Sequence, residues 1–302
     1  MSSRPRCQRC SKPCSSRKLP SSSTLLSKTH TMDSVLRVPG TDTLDATTLR
    51  QQLTTATFGH TVHLFASTTS TNDIAKTLAQ QGAPEGTIVL ADHQTQGRGR
   101  QGRTFASPGG VGIYLSLILR PGSDPQRLPP LTLATAVATA EALIAYSGLP
   151  IRLKWPNDVL IHDKKVAGIL CEAVLSAAAS PLIIVGIGIN VNTALADFPP
   201  DLHTQVTSLA LAAGHHWPRQ PLVALLLAHL EQIYRVFQQP DMATIRQRWL
   251  HYGQVIGRQV QYTHATAPVV ATVVDLDADG ALLVQHDDGL QHRLVAGEVV
   301  FL

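Results

Sequence analysis

Apolar and polar positions follow two different periods along the chain, and each period predicts one kind of element. Short apolar runs bounded by turn-forming residues predict β-strands at 62–65, 87–91, 113–119, 153–155, 159–162, 166–175 and 182–189. Apolar residues at helical spacing predict α-helices at 44–53, about 72–80, 131–146, 221–237 and 242–252, with Pro221 at the first position of its helix. Helices that interrupt a series of strands predict an α+β domain.

The pattern changes at Gly253, after which only short β-type runs follow. Asp279-Gly280 and Asp288-Gly289 separate some of these runs, and Asp-Gly between apolar alternations is a strong hairpin signal. Fewer than about fifty residues of hairpins predict a small barrel. We therefore predict a disordered, basic and Ser-rich leader at 1–42, a large α+β domain at 43–253 and a β-barrel at 254–302.

Composition narrows the function classes. The chain has 302 residues, of which 44 % are hydrophobic, enough for one large core and a smaller module. The net charge is +4, but six basic side chains lie in the first 18 residues, so charge does not favour a DNA-binding body. We find no run of 18 apolar residues and predict no membrane span. Three of the four cysteines lie in the leader without a disulfide framework, which predicts a cytoplasmic location.

The most informative segment is Gly97-Arg-Gly-Arg-Gln-Gly-Arg103, where glycines and arginines alternate. Guanidinium groups on a backbone that can approach a ligand closely suit an anion with several oxygens, above all a phosphate. The segment formally matches the dinucleotide fingerprint G-x-G-x-x-G, but no helical pattern follows it. A solvated surface turn and an RNA-binding segment are the other interpretations.

A second segment favours the same chemistry. Lys154-Trp-Pro-Asn-Asp158 offers a cation and an aromatic ring next to an amide and a carboxylate, and Asp158 is a candidate ligand for Mg²⁺. Asn-Asp can also be simple turn chemistry. Lys165 stands at the mouth of a strand and can present a point charge to a phosphate or carboxylate, whereas Lys164 is expected to be solvated. Gly186 and Gly188 interrupt an apolar strand, which indicates either close approach of a ligand or tight packing.

In this order and spacing, the segments resemble those of the biotin–protein ligase family over roughly 65–302. The resemblance also rests on Ser70-Thr71-Asn72, on Gln94 ahead of the Gly/Arg loop, and on Phe105, where the family has Trp or Phe. It implies a mixed-sheet catalytic domain of the biotin/lipoate ligase type, which is class II synthetase-like, with an SH3-like β-barrel at the C-terminus. It also implies an ATP-dependent ligase that makes biotinyl-5′-AMP and transfers biotin to a lysine of a biotin carboxyl carrier protein, a subunit of acetyl-CoA carboxylase.

The resemblance assigns roles to individual residues. The catalytic residues would be Lys165, Arg100 and Arg98. Biotin would contact Ser70, Thr71, Asn72, Gln94, Gly97, Arg98, Lys165, Gly186 and Gly188. ATP would contact Arg100, Arg103, Phe105, Lys154, Asn157, Asp158 and Asn190, with Mg²⁺ on Asp158.

The sequence also leads to expectations about binding partners, oligomeric state and alternative functions. Only the short pattern at 44–53 precedes the predicted core, too short for the helix-turn-helix domain that some family members carry, so we expect no DNA binding. The lack of a run of 18 apolar residues predicts no membrane partner. The chain is expected to be a monomer or a homodimer. A lipoate or octanoate ligase, or a nucleotide-binding module without catalysis, are the alternative functions.

Overall fold

Seven strands form a mixed sheet at the centre of the fold. In chain order they are β1 (Val62–Phe65), β2 (Ile88–Ala91), β3 (Gly112–Leu119), β4 (Ile151–Lys154), β5 (Asp158–Ile161), β6 (Lys164–Val174) and β7 (Leu182–Asn190). Their spatial order is β1-β2-β3-β7-β6-β5-β4. β1 and β2 pair in parallel, and the other neighbours pair antiparallel, so the predicted mixed sheet is confirmed.

The computed structural model describes residues 42–121, 128–174, 182–239, 242–264 and 267–302. Apart from Asp42, the predicted leader lies outside these residues. Within the described residues, six α-helices accompany the sheet: α1 (Ala46–Gln52), α2 (Thr71–Gln80), α3 (Leu128–Ser147), α4 (Leu209–Ala213), α5 (Arg219–Phe237) and α6 (Ala243–Gly253). α2 packs on β2, β3 and β7, while α3 contacts β4 to β7 together with α5 and α6.

α3 is apolar on all sides and lies in the main hydrophobic core. It begins at Leu128, earlier than predicted, because Pro129 and Pro130 are tolerated in a first helical turn. By length and hydropathy it could cross a membrane, the one such helix among the described residues, although no such span was expected. The search for uninterrupted apolar runs passed over this helix because threonines such as Thr135 and Thr139 interrupt the run. Their hydroxyls donate to carbonyls four residues back, which keeps them compatible with an apolar helix. With 67 % of its apolar window buried inside the structure, α3 is a core helix.

α5 begins two residues before Pro221, so the predicted first position of that proline is wrong. The Arg219 side chain is 1 % exposed, and its guanidinium binds Asp42 at 2.8 Å and Asp92 at 2.7 Å. These contacts hold Arg219 in the first helical turn, and no periodicity in the sequence could reveal them. α4 and the polar strand at Gln291–Leu294 were also missed because neither has an apolar period.

A second, five-stranded antiparallel sheet forms the C-terminal domain. It contains β8 (Gln259–His264), β9 (Ala267–Leu276), β10 (Leu282–Gln285), β11 (Gln291–Leu294) and β12 (Val300–Phe301), in the order β11-β10-β9-β8-β12. Gly280 and Gly289 take φ of +82° and +85° at the two predicted Asp-Gly turns. The small β-domain is therefore confirmed.

The turn at Gly280 connects this domain to the larger sheet. The Trp155 indole N–H donates to the Gly280 carbonyl at 3.0 Å, and Trp155 is 2 % exposed. A Cβ on Gly280 would lie 2.9 Å from Leu133 Cδ1 and 3.4 Å from the Pro130 nitrogen. The C-terminal domain thus packs against the start of α3 and the loop that leads into β5.

Gly280→Ala should destabilise the protein more than Gly289→Ala. Both substitutions place a Cβ at positive φ, which costs about 1 kcal/mol or more, but a Cβ at position 289 meets nothing within 4 Å. The crowding against Leu133 and Pro130 should add ~1–3 kcal/mol at position 280. Thermal melting of the full chain measures the difference, and equal losses would show that the turn is not packed against α3.

Candidate active site

The predicted residues meet in one cavity of about 380 Å³ on the side of the sheet that carries α2. The Gly/Arg loop, the loop between β4 and β5, the strands β6 and β7, and Glu298 and Val299 of the C-terminal domain line it. Of the residues predicted for biotin, ATP and metal, all except Gly97 line this cavity. A Cβ on Gly97 would lie 2.5 Å from Ser107 Oγ and 3.1 Å from Gln94 Nε2, so Gly97 lets the loop pack on itself.

The register of three strands creates a strip without side chains in this wall. Gly186 pairs with Ser116 of β3 and with Leu170 of β6, and Gly188 pairs with Gly168 of β6. A Cβ on Gly186 would overlap the Asn72 amide, and one on Gly188 would lie 2.5 Å from the Phe105 ring. In this structure the protein's own side chains make the close approach. The predicted contact of both glycines with biotin stays a prediction.

The start of α2 brings a group of neutral polar side chains to the cavity. Thr71 donates to Gln94 Oε1 from its backbone N–H at 2.8 Å and from its hydroxyl at 3.1 Å. The Asn72 amide donates to Glu172 at 2.7 Å, and the buried Ser116 hydroxyl lies 2.8 Å from Thr71 Oγ1 and 2.5 Å from Asn72 Oδ1. Ser116 and Glu172 were missed, although a hydroxyl in a strand buried along its length must find a partner, which is a readable signal.

The arginines of the loop all contact protein acceptors. Arg98 donates to Asp73 at 2.5 Å and lies 3.6 Å from Glu172. Arg100 donates to Asn157 Oδ1 at 3.2 Å. Burial lowers the pKa of Arg100, with Asp158 and Glu298 partly offsetting it, and the guanidinium stays charged at neutral pH.

Arg103 binds both carboxylate oxygens of Glu298, and these hydrogen bonds lower the pKa of that carboxyl group. The loop makes a single 3₁₀ turn at Arg100–Gly102 and then continues extended. Since no helix opens from it, the dinucleotide fingerprint is excluded.

Lys165 of β6 adds a further cation to the cavity and contacts the second segment. Lys165 Nζ lies 2.7 Å from Asp158 Oδ1, whereas Lys164 is exposed, as predicted. Asn157 donates to the Ile169 carbonyl at 2.9 Å, which holds its oxygen toward Arg100. Trp155, the aromatic ring of this segment, lies at the cavity wall but is 2 % exposed, and its indole N–H donates to the carbonyl of the Gly280 turn.

Asn190 is 3 % exposed and donates to the Thr207 carbonyl at 3.0 Å. Lys154 lines the cavity next to Asp158. The described residues contain no group of three or more His, Cys, Asp or Glu side chains that could hold a metal ion.

The mixed sheet, the small β-domain and a cleft with cations at one end and neutral hydrogen-bonding groups at the other define a two-domain ligase of the biotin/lipoate type. Residues 64–190 match the Biotin/lipoate A/B protein ligase family, and residues 255–302 match the Biotin protein ligase C terminal domain. The chain belongs to the biotin protein ligase family and is a ligase.

Individual relatives agree with this assignment. The chain is 35 % identical to the bifunctional ligase/repressor BirA of Bacillus subtilis, covering 85 % of this chain and 78 % of that protein. It is 35 % identical to the biotin--[acetyl-CoA-carboxylase] ligase of Mycobacterium tuberculosis, covering 86 % and 96 %. The biotin protein ligase of Aquifex aeolicus in complex with biotin and ATP aligns with a TM-score of 0.70 at 28 % identity, covering 80 % and 99 %.

Gly188→Ala should destabilise the protein when Phe105 is present and stabilise it when Phe105 is replaced by alanine. With Phe105 present, the new methyl group would lie 2.5 Å from the ring and should cost ~1–3 kcal/mol of stability. In a Phe105→Ala background the same substitution should stabilise by about 0.5–1 kcal/mol, because alanine loses less backbone entropy than glycine in a strand. Thermal melting of the four proteins tests this, and the same effect in both backgrounds would contradict the packing.

Proposed function

We propose that this chain activates biotin with ATP to biotinyl-5′-AMP and then transfers biotin to a lysine of a biotin carboxyl carrier protein. One observation carries the proposal: a single cavity holds the Ser70–Asn72 and Gln94 group close to the cations of the Gly/Arg loop and Lys165. The first group suits the ureido ring of biotin. The second group suits the biotin carboxylate and the phosphates of ATP, two anions that react with each other. The biotin and ATP complex of the Aquifex aeolicus relative supports the substrate pair.

In the first step, a biotin carboxylate oxygen attacks the α-phosphorus of ATP and pyrophosphate leaves. Both reactants are anions, so Arg98, Arg100 and Lys165 have to offset their repulsion and stabilise the charge that develops at the phosphorus. Lys165 is held ready by Asp158, and a phosphate oxygen can replace that carboxylate as its partner. The acceptor amine then attacks the acyl carbon, AMP leaves and the amine loses a proton.

We assign Mg²⁺ to Asp158. Mg²⁺ takes one or two carboxylates alongside phosphate oxygens, and the Asp158 carboxylate on the cavity wall fits that preference. Bound with ATP, the ion would neutralise phosphate charge. Asp158 would orient the ion while Lys165 turns toward the α-phosphate.

The carrier protein is the expected partner because the Mycobacterium tuberculosis relative is named for acetyl-CoA-carboxylase. The monomeric or homodimeric state, the absence of DNA and membrane partners, and the cytoplasmic location stay predictions. So do the roles of the individual site residues.

The direct test is transfer of labelled biotin to an apo carrier domain with Mg-ATP, with lipoate and octanoate in parallel. Labelling with biotin alone is expected. Labelling with lipoate or octanoate instead would move the chain to the sister activity, and no labelling would overturn the ligase proposal.

Lys165→Ala should fold but lose most biotin-dependent pyrophosphate release, because the cation that Asp158 holds at the cavity wall is removed. A single removed transition-state contact of this kind costs on the order of 10²–10³ in rate. Lys164→Ala is the matched control, since its neighbouring lysine is exposed, and it should keep the activity. Near-normal release by Lys165→Ala would remove Lys165 from the catalytic residues.

Arg100→Gly should release biotinyl-5′-AMP into solution, because Arg100 contacts Asn157 across the cavity and can cover the intermediate. Gln101→Gly adds a glycine to the same loop at a residue with φ of 54° and keeps all three guanidinium groups. The ratio of free to carrier-bound biotin in single turnover measures retention. Undiminished retention in Arg100→Gly would remove its assignment as a lid.

A further inference from the structure

Four oxygen atoms form an unbroken row beside the proposed biotin-ring subsite. Asn72 Oδ1 lies 2.5 Å from Ser116 Oγ, Ser116 Oγ lies 2.8 Å from Thr71 Oγ1, and Thr71 Oγ1 lies 3.1 Å from Gln94 Oε1. Each of the four residues is buried or partly buried, and Thr71 faces the cavity.

Both ends of the row are fixed as acceptors. The backbone N–H of Thr71 donates to Gln94 at 2.8 Å, so the amide oxygen of Gln94 must face Thr71. Glu172 lies 2.7 Å from the amide of Asn72, and a carboxylate can only accept. The Asn72 nitrogen must face Glu172, which turns its oxygen toward Ser116.

Glu172 stays ionised at neutral pH. Burial alone would raise its pKa, but the hydrogen bonds from Lys76 and Asn72 and the charges of Lys76 and Arg98 outweigh burial and lower the pKa. Lys76 lies 2.7 Å away and Arg98 lies 3.6 Å away. The orientation of the Asn72 amide therefore depends on a charge outside the row.

Three contacts in the row share two protons. Only the hydroxyl groups of Ser116 and Thr71 carry one each. The shortest contact joins Ser116 to Asn72, and it needs the Ser116 proton, because two oxygen atoms at 2.5 Å repel each other without one. The Thr71 proton then goes to Ser116 or to Gln94. In either case Thr71 receives no proton from the protein.

We propose that Glu172 is a positioning residue that sets the hydrogen-bonding polarity of this subsite, so that Thr71 accepts and the ligand must donate an N–H. This inference rests on the proposed function. A ligand carbonyl at Thr71 would take the Thr71 proton and leave two of the three contacts without one. The subsite thus selects a ring with an N–H facing Thr71, as in a cyclic urea, and disfavours the dithiolane ring of lipoate, which has no donor.

The first test replaces the donor in the ligand. Two cyclic carbamate analogues of biotin, each with one ring N–H replaced by oxygen, are compared with biotin by calorimetry. Oxybiotin, which keeps both N–H groups, is the control. In the wild-type protein, one carbamate should have a dissociation constant at least ~100-fold larger than that of biotin. In Thr71→Val, this carbamate-to-biotin ratio of dissociation constants should be close to one. Equal ratios in both proteins would overturn the inference.

The second test changes the orientation of Asn72. In Glu172→Gln the new side-chain oxygen stays with Lys76, so its NH₂ faces Asn72 and turns that amide round. Ser116 then accepts from Asn72 and donates to Thr71, and every contact in the row has a proton. The carbamate-to-biotin ratio should fall by about ten-fold or more, since Thr71 now accepts from the protein, while the melting temperature is maintained or rises.

Asp73→Asn is the matched control for charge. It also removes a carboxylate from the vicinity of Arg98 and Lys76, but Asp73 makes no contact with the Asn72 amide among the described hydrogen bonds. Its carbamate-to-biotin ratio should equal that of the wild type. A ratio that falls equally in both variants would overturn the role of Glu172. If the wild-type protein does not bind biotin, both the proposed function and this inference are overturned. If it transfers biotin but Glu172→Gln has the same carbamate-to-biotin ratio as the wild type, this inference alone is overturned.

Discussion

The site depends on one packing constraint: the side chains of Asn72 and Phe105 lie directly on the backbone of the central strand β7. Gly186 and Gly188 are two residues apart in β7 and therefore lie on the same face of the sheet, the face that carries α2, between β3 and β6. Without side chains at these positions, Asn72 and Phe105 lie directly on the strands. The first turn of α2 is thereby brought within hydrogen-bonding distance of Ser116, and the cavity gains its depth.

The charges of the cleft are arranged before any ligand arrives. Arg98 faces Asp73, Lys165 faces Asp158 and Arg103 faces Glu298, so mutual repulsion among the cations is offset inside the protein. An anionic ligand then replaces one acceptor by another and does not require the cations to be gathered anew, which is the benefit of preorganisation. Because Glu298 and the Gly280 turn belong to the C-terminal domain, both domains build the cleft.

Much of the architecture could be read from local patterns. The strands from β1 to β7 lie where apolar runs predicted them, and both Asp-Gly turns adopt positive φ as their chemistry requires. Two features that local patterns did not give depend on distant contacts: the start of α5 depends on the buried ion pairs of Arg219, and the burial of Trp155 depends on the Gly280 turn. Contacts between residues far apart in sequence leave no local period behind.

The sequence by itself determined which chemical groups are present: a glycine–arginine loop, a Lys-Trp-Pro-Asn-Asp segment and a Ser-Thr-Asn cap. Each is a short segment, and its residue types alone indicate which ligand groups it can bind. Only the tertiary structure decided how these groups are used. The strand register placed Ser116 between Thr71 and Asn72, and Glu172 turned the Asn72 amide. The physical reason is that hydrogen-bond polarity depends on which donor meets which acceptor in space.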